Sequence, residues 1–173
     1  IILFTLFVEN VSLFSQFYII LHFNRNRAVL KDCAQQVQYT RNEEMLHSQV
    51  GIKLINTLRE EYPELFDEEL ESRIAEECVE SVKAESHVID WILDGYSVDG
   101  LDSQILKNFI AKRMKDSLES IGFDNSVIIV DEKALEKTLW FDEGLLGATM
   151  TDFFHKVPVE YSKGKGISAE ELF

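Results

Sequence analysis

The chain opens on a segment without a polar face. From Ile1 to about Phe23 apolar residues occupy every side of a helix, which predicts a core helix buried all round. Asn24-Arg25-Asn26-Arg27 breaks the apolar run and predicts a turn. From Ala28 to about Glu61 there is no proline, and Val37, Met45, Leu46, Val50, Leu54, Ile55 and Leu58 recur mainly at spacings of three, four and one. That is the stripe of a second long helix, with one face packed inward. Tyr62-Pro63 ends it, and Asp67 is placed to cap a third helix running to about Leu93, with Glu68 and Glu69 near the positive end of its dipole. Leu70, Ile74, Cys78, Val82, Ile89 and Leu93 lie near one stripe of that helix, and the acids and bases between them form a solvated face. Asp94-Gly95 closes it, and Leu101 to Ile121 reads as a fourth helix stopped by Gly122. Beyond Gly122 the pattern loosens into a β-branched run, Val127 to Val130, and a helical turn at Glu132 to Thr138. From Thr149 onward periodicity is lost. The expected organisation is an all-α helical body over 1–148 and a flexible tail over 149–173.

Composition supports long helices. The 173 residues include two prolines and eight glycines, and the first 120 are dense in Leu, Ile, Glu, Lys and Gln. A formal charge of -14 argues against nucleic acid as a partner, since phosphate binding needs clustered Lys and Arg. Cys33 and Cys78 are too few and too poorly spaced for a disulfide framework or a zinc knuckle, and read as reduced, largely buried thiols of a cytoplasmic protein. Ile1 to Val8 is apolar except for Thr5, but Glu9, Asn10, Ser12, Ser15 and Gln16 fall in any window that would have to cross a bilayer. No membrane association is expected, and Ile1 is read as lying inside a helix whose beginning is missing.

Two features carry candidate chemistry. Glu9 sits in the middle of the all-round apolar helix, where burying a carboxylate costs several kcal/mol unless its charge is compensated. It is protonated, or paired with an Arg from elsewhere, or on an exposed strip beside Asn10, or it faces a cation. Glu44 and His47 are three apart, which puts them on one helical face a turn apart, where a carboxylate oxygen and an imidazole nitrogen can bind one ion. Glu-x-x-His alone also occurs by chance in Glu-rich helices. Its position after an isolated buried Glu on the preceding helix makes it more specific, because dimetal carboxylate bundles take one carboxylate from each of two helices and a Glu-x-x-His from each of two others.

Phe7-Val8-Glu9-Asn10-Val11-Ser12-Leu13-Phe14, followed by Asn42-Glu43-Glu44-Met45-Leu46-His47, resembles the second half of the class I ribonucleotide reductase small-subunit pattern. Phe109 to Met114, Trp140-Phe141-Asp142, Asp152-Phe153-Phe154-His155-Lys156 and Glu160-Tyr161 resemble later family segments in the same order. The resemblance implies the later helices of a ferritin-like bundle holding a dinuclear metal centre, Fe/Fe with Mn/Mn or Mn/Fe as variants. It makes Glu9, Glu44 and His47 metal ligands, and Glu43 an acid that orients a ligand histidine on the opposite helix. Phe17 would line the apolar pocket sheltering a radical. Tyr161 would relay an electron and proton toward a large subunit, and Ile167 to Phe173 would dock on that subunit. A homodimer is implied as well.

The family's first metal-binding half, and any radical tyrosine near it, is absent from these residues. One chain alone is therefore not expected to assemble the complete site. The enzymatic alternative is a ferritin-like di-iron oxidase or iron-handling protein using the same carboxylates. The non-enzymatic alternative is a helical interaction module in which Glu and His fall together by accident.

Overall fold

The computed structural model describes residues 1–146. Residues Ile1–Trp140 form one compact unit and a second begins at Phe141. The expected boundary at 148/149, Tyr161 and the docking segment Ile167 to Phe173 lie outside the described residues.

A π-helical segment, Phe4–Ser12, runs into α1 (Phe14–Arg27). It is followed by α2 (Lys31–Glu61), a 3-10 turn at Pro63–Leu65, α3 (Glu68–Leu93) and α4 (Ser103–Ser120). The short α5 (Glu132–Leu135), a 3-10 turn at Glu136–Thr138 and α6 (Leu139–Leu146) complete the series. Among the described residues there is no strand; Val98 and Leu101 form an isolated antiparallel bridge, and Val127 to Val130 stays irregular. The π-helical segment packs on both α2 and α4, α1 packs on α2, and α3 packs on α4.

The caps follow local chemistry. Asp67 and Asp102 each accept a hydrogen bond from the backbone N–H three residues on, Leu70 at 2.8 Å and Ile105 at 2.9 Å, satisfying a donor that the helix itself leaves open. Gly122, at φ 70°, ends α4 as its sequence position suggested.

Three expectations change. The first turn comes at Ala28-Val29-Leu30, with Ala28 and Leu30 left-handed, rather than at Asn24 to Arg27. Asn26 bonds back to the His22 ring, Arg27 pairs with Asp99 at 2.5 Å, and Arg25 and Arg27 suit the negative end of the dipole, so the polar residues continue the helix. Second, the opening helix is not buried all round. Leu6, Val11, Phe14 and Tyr18 are enclosed, while Ile1, Phe4, Val8 and Leu13 are exposed. The continuous helix Phe4–Arg27 is long and apolar enough by length and composition to cross a membrane, but 44% of its most apolar window is buried in this fold. Third, the apolar stripe of α2 is not its packed face. Ala34, Arg41, Ser48 and Ile55, spaced by seven, are the buried positions, and Leu46, Val50 and Leu54 face outward. Cys33 is likewise exposed, because the first turn of α2 is solvated; Cys78 is buried, which raises its thiol to about 11.

α2 meets the opening helix at a glycine. A Cβ on Gly51 would collide with the Thr5 side chain, including its Cβ, so Thr5 packs against α2 here only because Gly51 has no side chain. Gly51→Ala is expected to destabilise by about 1 to 3 kcal/mol through overpacking, despite alanine's better helix propensity; urea unfolding showing equal or greater stability would contradict this assignment.

α3 is tied to α1 by a buried carboxylate. Glu85 accepts from Ser15 Oγ at 2.5 Å and Gln16 Nε2 at 3.0 Å through the same oxygen. Burial raises its pKa, partly offset by those two bonds. The folded state therefore holds this proton at pH values where the unfolded chain has lost it. The resulting stability is present below the unfolded value and is lost as pH rises through the folded one. Glu85→Gln keeps the accepting oxygen and removes the charge. Thermal unfolding across pH 4 to 8 should show it more stable than wild type at the upper end, with the difference closing on acidification.

Candidate metal centre

Glu9 lies in the π-helical segment, Glu44 and His47 in the middle of α2. A π turn is wider than an α turn, is rare, and is often found at functional sites. Neither hydropathy nor motif spacing in the sequence signals it. The segment is held from two sides: by the Thr5–Gly51 approach to α2, and by α4, whose Arg113 donates Nε to Asn10 O at 2.8 Å and Nη2 to Asn10 Oδ1 at 2.9 Å. Asn10 in turn donates to Ser117 Oγ. Asn10 is thus engaged by α4 rather than lying on an exposed strip, and its neighbour Glu9 is directed to α2.

The structure brings the three predicted ligand residues together. His47 Nδ1 is 3.3 Å from Glu9 Oε2 and 3.4 Å from Glu44 Oε2, and ligand atoms of all three lie within 4.8 Å of one another. They form the only group of three or more potential metal-binding side chains found among the described residues. The side chains of Glu9 and Glu44 are 15% and 22% exposed, that of His47 60%, so the cluster opens outward through the imidazole. The neighbouring Glu44 carboxyl raises the Glu9 pKa, and burial adds to it; Glu44 raises that of His47. Two carboxylates crowded together with one imidazole are an electrostatic arrangement that a divalent cation relieves. The donor set, oxygens plus one nitrogen, is chemically suited to iron or manganese.

Glu43, one position before Glu44, is exposed and outside the cluster. Phe17 is buried, edge-on to Phe14 with ring centroids 5.5 Å apart, and the Arg113 guanidinium lies 3.6 Å over the Phe14 ring. This apolar and cationic wall follows the Glu9 segment directly. Sequence reasoning missed Asn10 and Arg113 as positioning residues, since their pairing spans about a hundred positions. It also missed Tyr18, which is fully buried, donates to Lys137 O at 3.2 Å and receives a bond from Trp140 Nε1 at 3.0 Å.

A family model described as ribonucleotide reductase, small chain, matches residues 1–126. The probable ribonucleoside-diphosphate reductase small subunit of Invertebrate iridescent virus 3 is 27% identical over 162 residues, covering 93% of this chain and 42% of that protein. The ribonucleoside-diphosphate reductase subunit beta of Aquifex aeolicus is 33% identical over 111 residues, 64% of this chain and 15% of that protein. The corresponding subunit of Chlamydia pneumoniae is 30% identical over 116 residues, 66% of this chain and 33% of its own length. The chain thus spans less than half the length of these relatives. A Bacillus halodurans crystal structure assigned to the class I ribonucleotide reductases superposes with a TM-score of 0.71 at 17% identity, over 78% of this chain and 42% of that one. That likeness establishes the architecture, a ferritin-like helical bundle.

Proposed function

The chain belongs to the family of ribonucleotide reductase small chains, and from that premise we propose that Glu9, Glu44 and His47 are metal ligands forming half of a dinuclear carboxylate centre. The observation that carries this reading is the convergence of two carboxylates and an imidazole from two helices. Fe/Fe is the assignment, and Mn/Mn or Mn/Fe would use the same donors. When bound, such a pair supplies a one-electron oxidant by activating dioxygen, chemistry that side chains alone do not offer.

The chain's own residues hold and shield that site. The clamp of Arg113 on Asn10 fixes the backbone beside Glu9. His47 offers Nδ1 toward both carboxylates, and Phe14 and Phe17 keep water from the adjoining wall. Glu43 is assigned to orient a ligand histidine on a facing helix. Tyr161 is assigned to relay the electron and proton, and Ile167 to Phe173 to dock on a large subunit that reduces ribonucleoside diphosphates to deoxyribonucleotides for DNA replication. The working protein is a cytoplasmic homodimer in this reading. The oxidase alternative would use the same carboxylates; the family match over residues 1–126 favours the reductase.

Titration with Mn(II), followed by the loss of its free-ion EPR signal, tests the ligands. Glu44→Ala and His47→Ala should each weaken binding at least roughly tenfold, on the scale of losses seen when metal sites are disturbed. Unchanged affinity in Glu44→Ala would leave only the interaction-module reading. One chain should not take up two ions; two per chain, with the absorption of an oxidised di-iron centre, would refute the half-site. In the intact reductase with its large subunit, Tyr161→Phe should abolish turnover while metal loading stays at the wild-type level.

A further inference from the structure

α4 takes up every polar atom that Asn10 offers apart from its own backbone N–H. Arg113 Nε donates to the Asn10 carbonyl at 2.8 Å and Nη2 to Asn10 Oδ1 at 2.9 Å. Asn10 Nδ2 donates to Ser117 Oγ, which donates in turn to Arg113 O at 2.8 Å, so the loop is closed. Ser117 is almost fully buried. The bond to the main chain is the unusual one. A carbonyl within a helix ordinarily accepts from the helix's own ladder, yet that of Asn10 is met by a side chain 103 positions away. Asn10 lies near the end of the π-helical segment at Ser12, and the α register resumes with the Phe17 N–H donating to the Leu13 carbonyl. Where a π register gives way to an α register the ladder skips a residue, and a carbonyl there needs a donor from elsewhere.

We propose that Arg113 sets the helical register of the Glu9 segment, and through that register the affinity of the Glu9–Glu44–His47 cluster for a divalent cation. The proposal rests on those three residues being metal ligands. π-Helix occurs mostly as single turns, so a run of nine residues needs a hold from outside itself. Arg113 supplies it by capturing the carbonyl and the side chain of one residue together. Removing the extra residue from the turn rotates the side chains on one side of it by about 100°, the angular step of one α-helical residue. A rotation of that size carries Glu9 off the face it shares with α2, while Glu44 and His47 keep their places a turn apart. Arg113 therefore acts on the cluster through Glu9 alone. A guanidinium suits the task because its planar fork spans two acceptors, whereas a lysine ammonium is a point donor on a flexible stem. The guanidinium is itself steadied, stacked 3.6 Å over the Phe14 ring.

Mn(II) titration of the 173-residue chain, read by loss of the free-ion EPR signal, tests this, with circular dichroism on the same samples. Arg113→Met should keep the helical spectrum and weaken binding roughly 10- to 100-fold, the range for residues that orient metal ligands. Its loss should approach that of Glu9→Ala and not exceed it. Asn10→Ala keeps the carbonyl acceptor and Arg113→Lys keeps a single donor, so each should fall between Arg113→Met and wild type. Asn108→Ala is the control. It removes two 2.7 Å bonds from the same helix to the Asp131 backbone, away from Asn10, and should leave the affinity within about twofold of wild type. Wild-type affinity in Arg113→Met would overturn the proposal and leave the ligand reading standing. An equal loss in Asn108→Ala, or a loss in Arg113→Met beyond that of Glu9→Ala, would overturn it too, since either marks general loosening of the bundle. If Arg113→Met loses its helical signal, Arg113→Lys and Asn10→Ala decide, and wild-type affinity in both overturns the proposal. Absence of Mn(II) binding to the unaltered chain would remove the ligand reading and the register role together.

Discussion

The packing of this fold holds two carboxyl groups side by side. Glu9 and Glu44 come from different helices and face the same imidazole nitrogen within 3.4 Å, although the carboxyls disfavour each other's ionisation. Such a pair does not assemble by its own attraction. It is imposed by packing elsewhere: Gly51 admits the Thr5 side chain, and Arg113 grips Asn10 from the other side. The segment between those two anchors is the π-helical one, and its wide turn places Glu9 toward α2 while Asn10 turns to α4. A crowded carboxylate pair of this kind is what a divalent cation would stabilise.

Buried polarity takes a different form between α1 and α3. Glu85 is more deeply buried than Glu9 or Glu44, yet two neutral donors from α1 satisfy it. That is a cross-link between helices. Glu9 and Glu44 have each other and the His47 ring between them. Burial alone would have ranked Glu85 first; the identity of the neighbours reverses the order.

The outward apolar row of α2 is the other departure from simple patterning. Leu46, Val50 and Leu54 obey the helical spacing that normally marks a core face, while Arg41 and Ser48 occupy positions that are actually enclosed. Hydropathy records which side chains gain from leaving water. It does not record which neighbour, if any, removes them from it.

Read alone, the sequence determined what depends on nearby residues: four long helices and their order, the Asp67 cap, the Gly122 stop, and the joint placement of Glu44 and His47 on one face. These follow from i to i+3 and i+4 chemistry, which the chain carries with it wherever it folds. The motif order also made the family legible, because ordered short matches accumulate even when each is weak. Tertiary structure alone decided the π turn at Phe4–Ser12, the Arg113–Asn10 clamp, the buried Glu85 and the face of α2 that packs. Each depends on a partner tens of residues away, from 46 between Thr5 and Gly51 to 103 between Asn10 and Arg113. Contacts of that range are set by which helices pack together, and local periodicity carries no record of them.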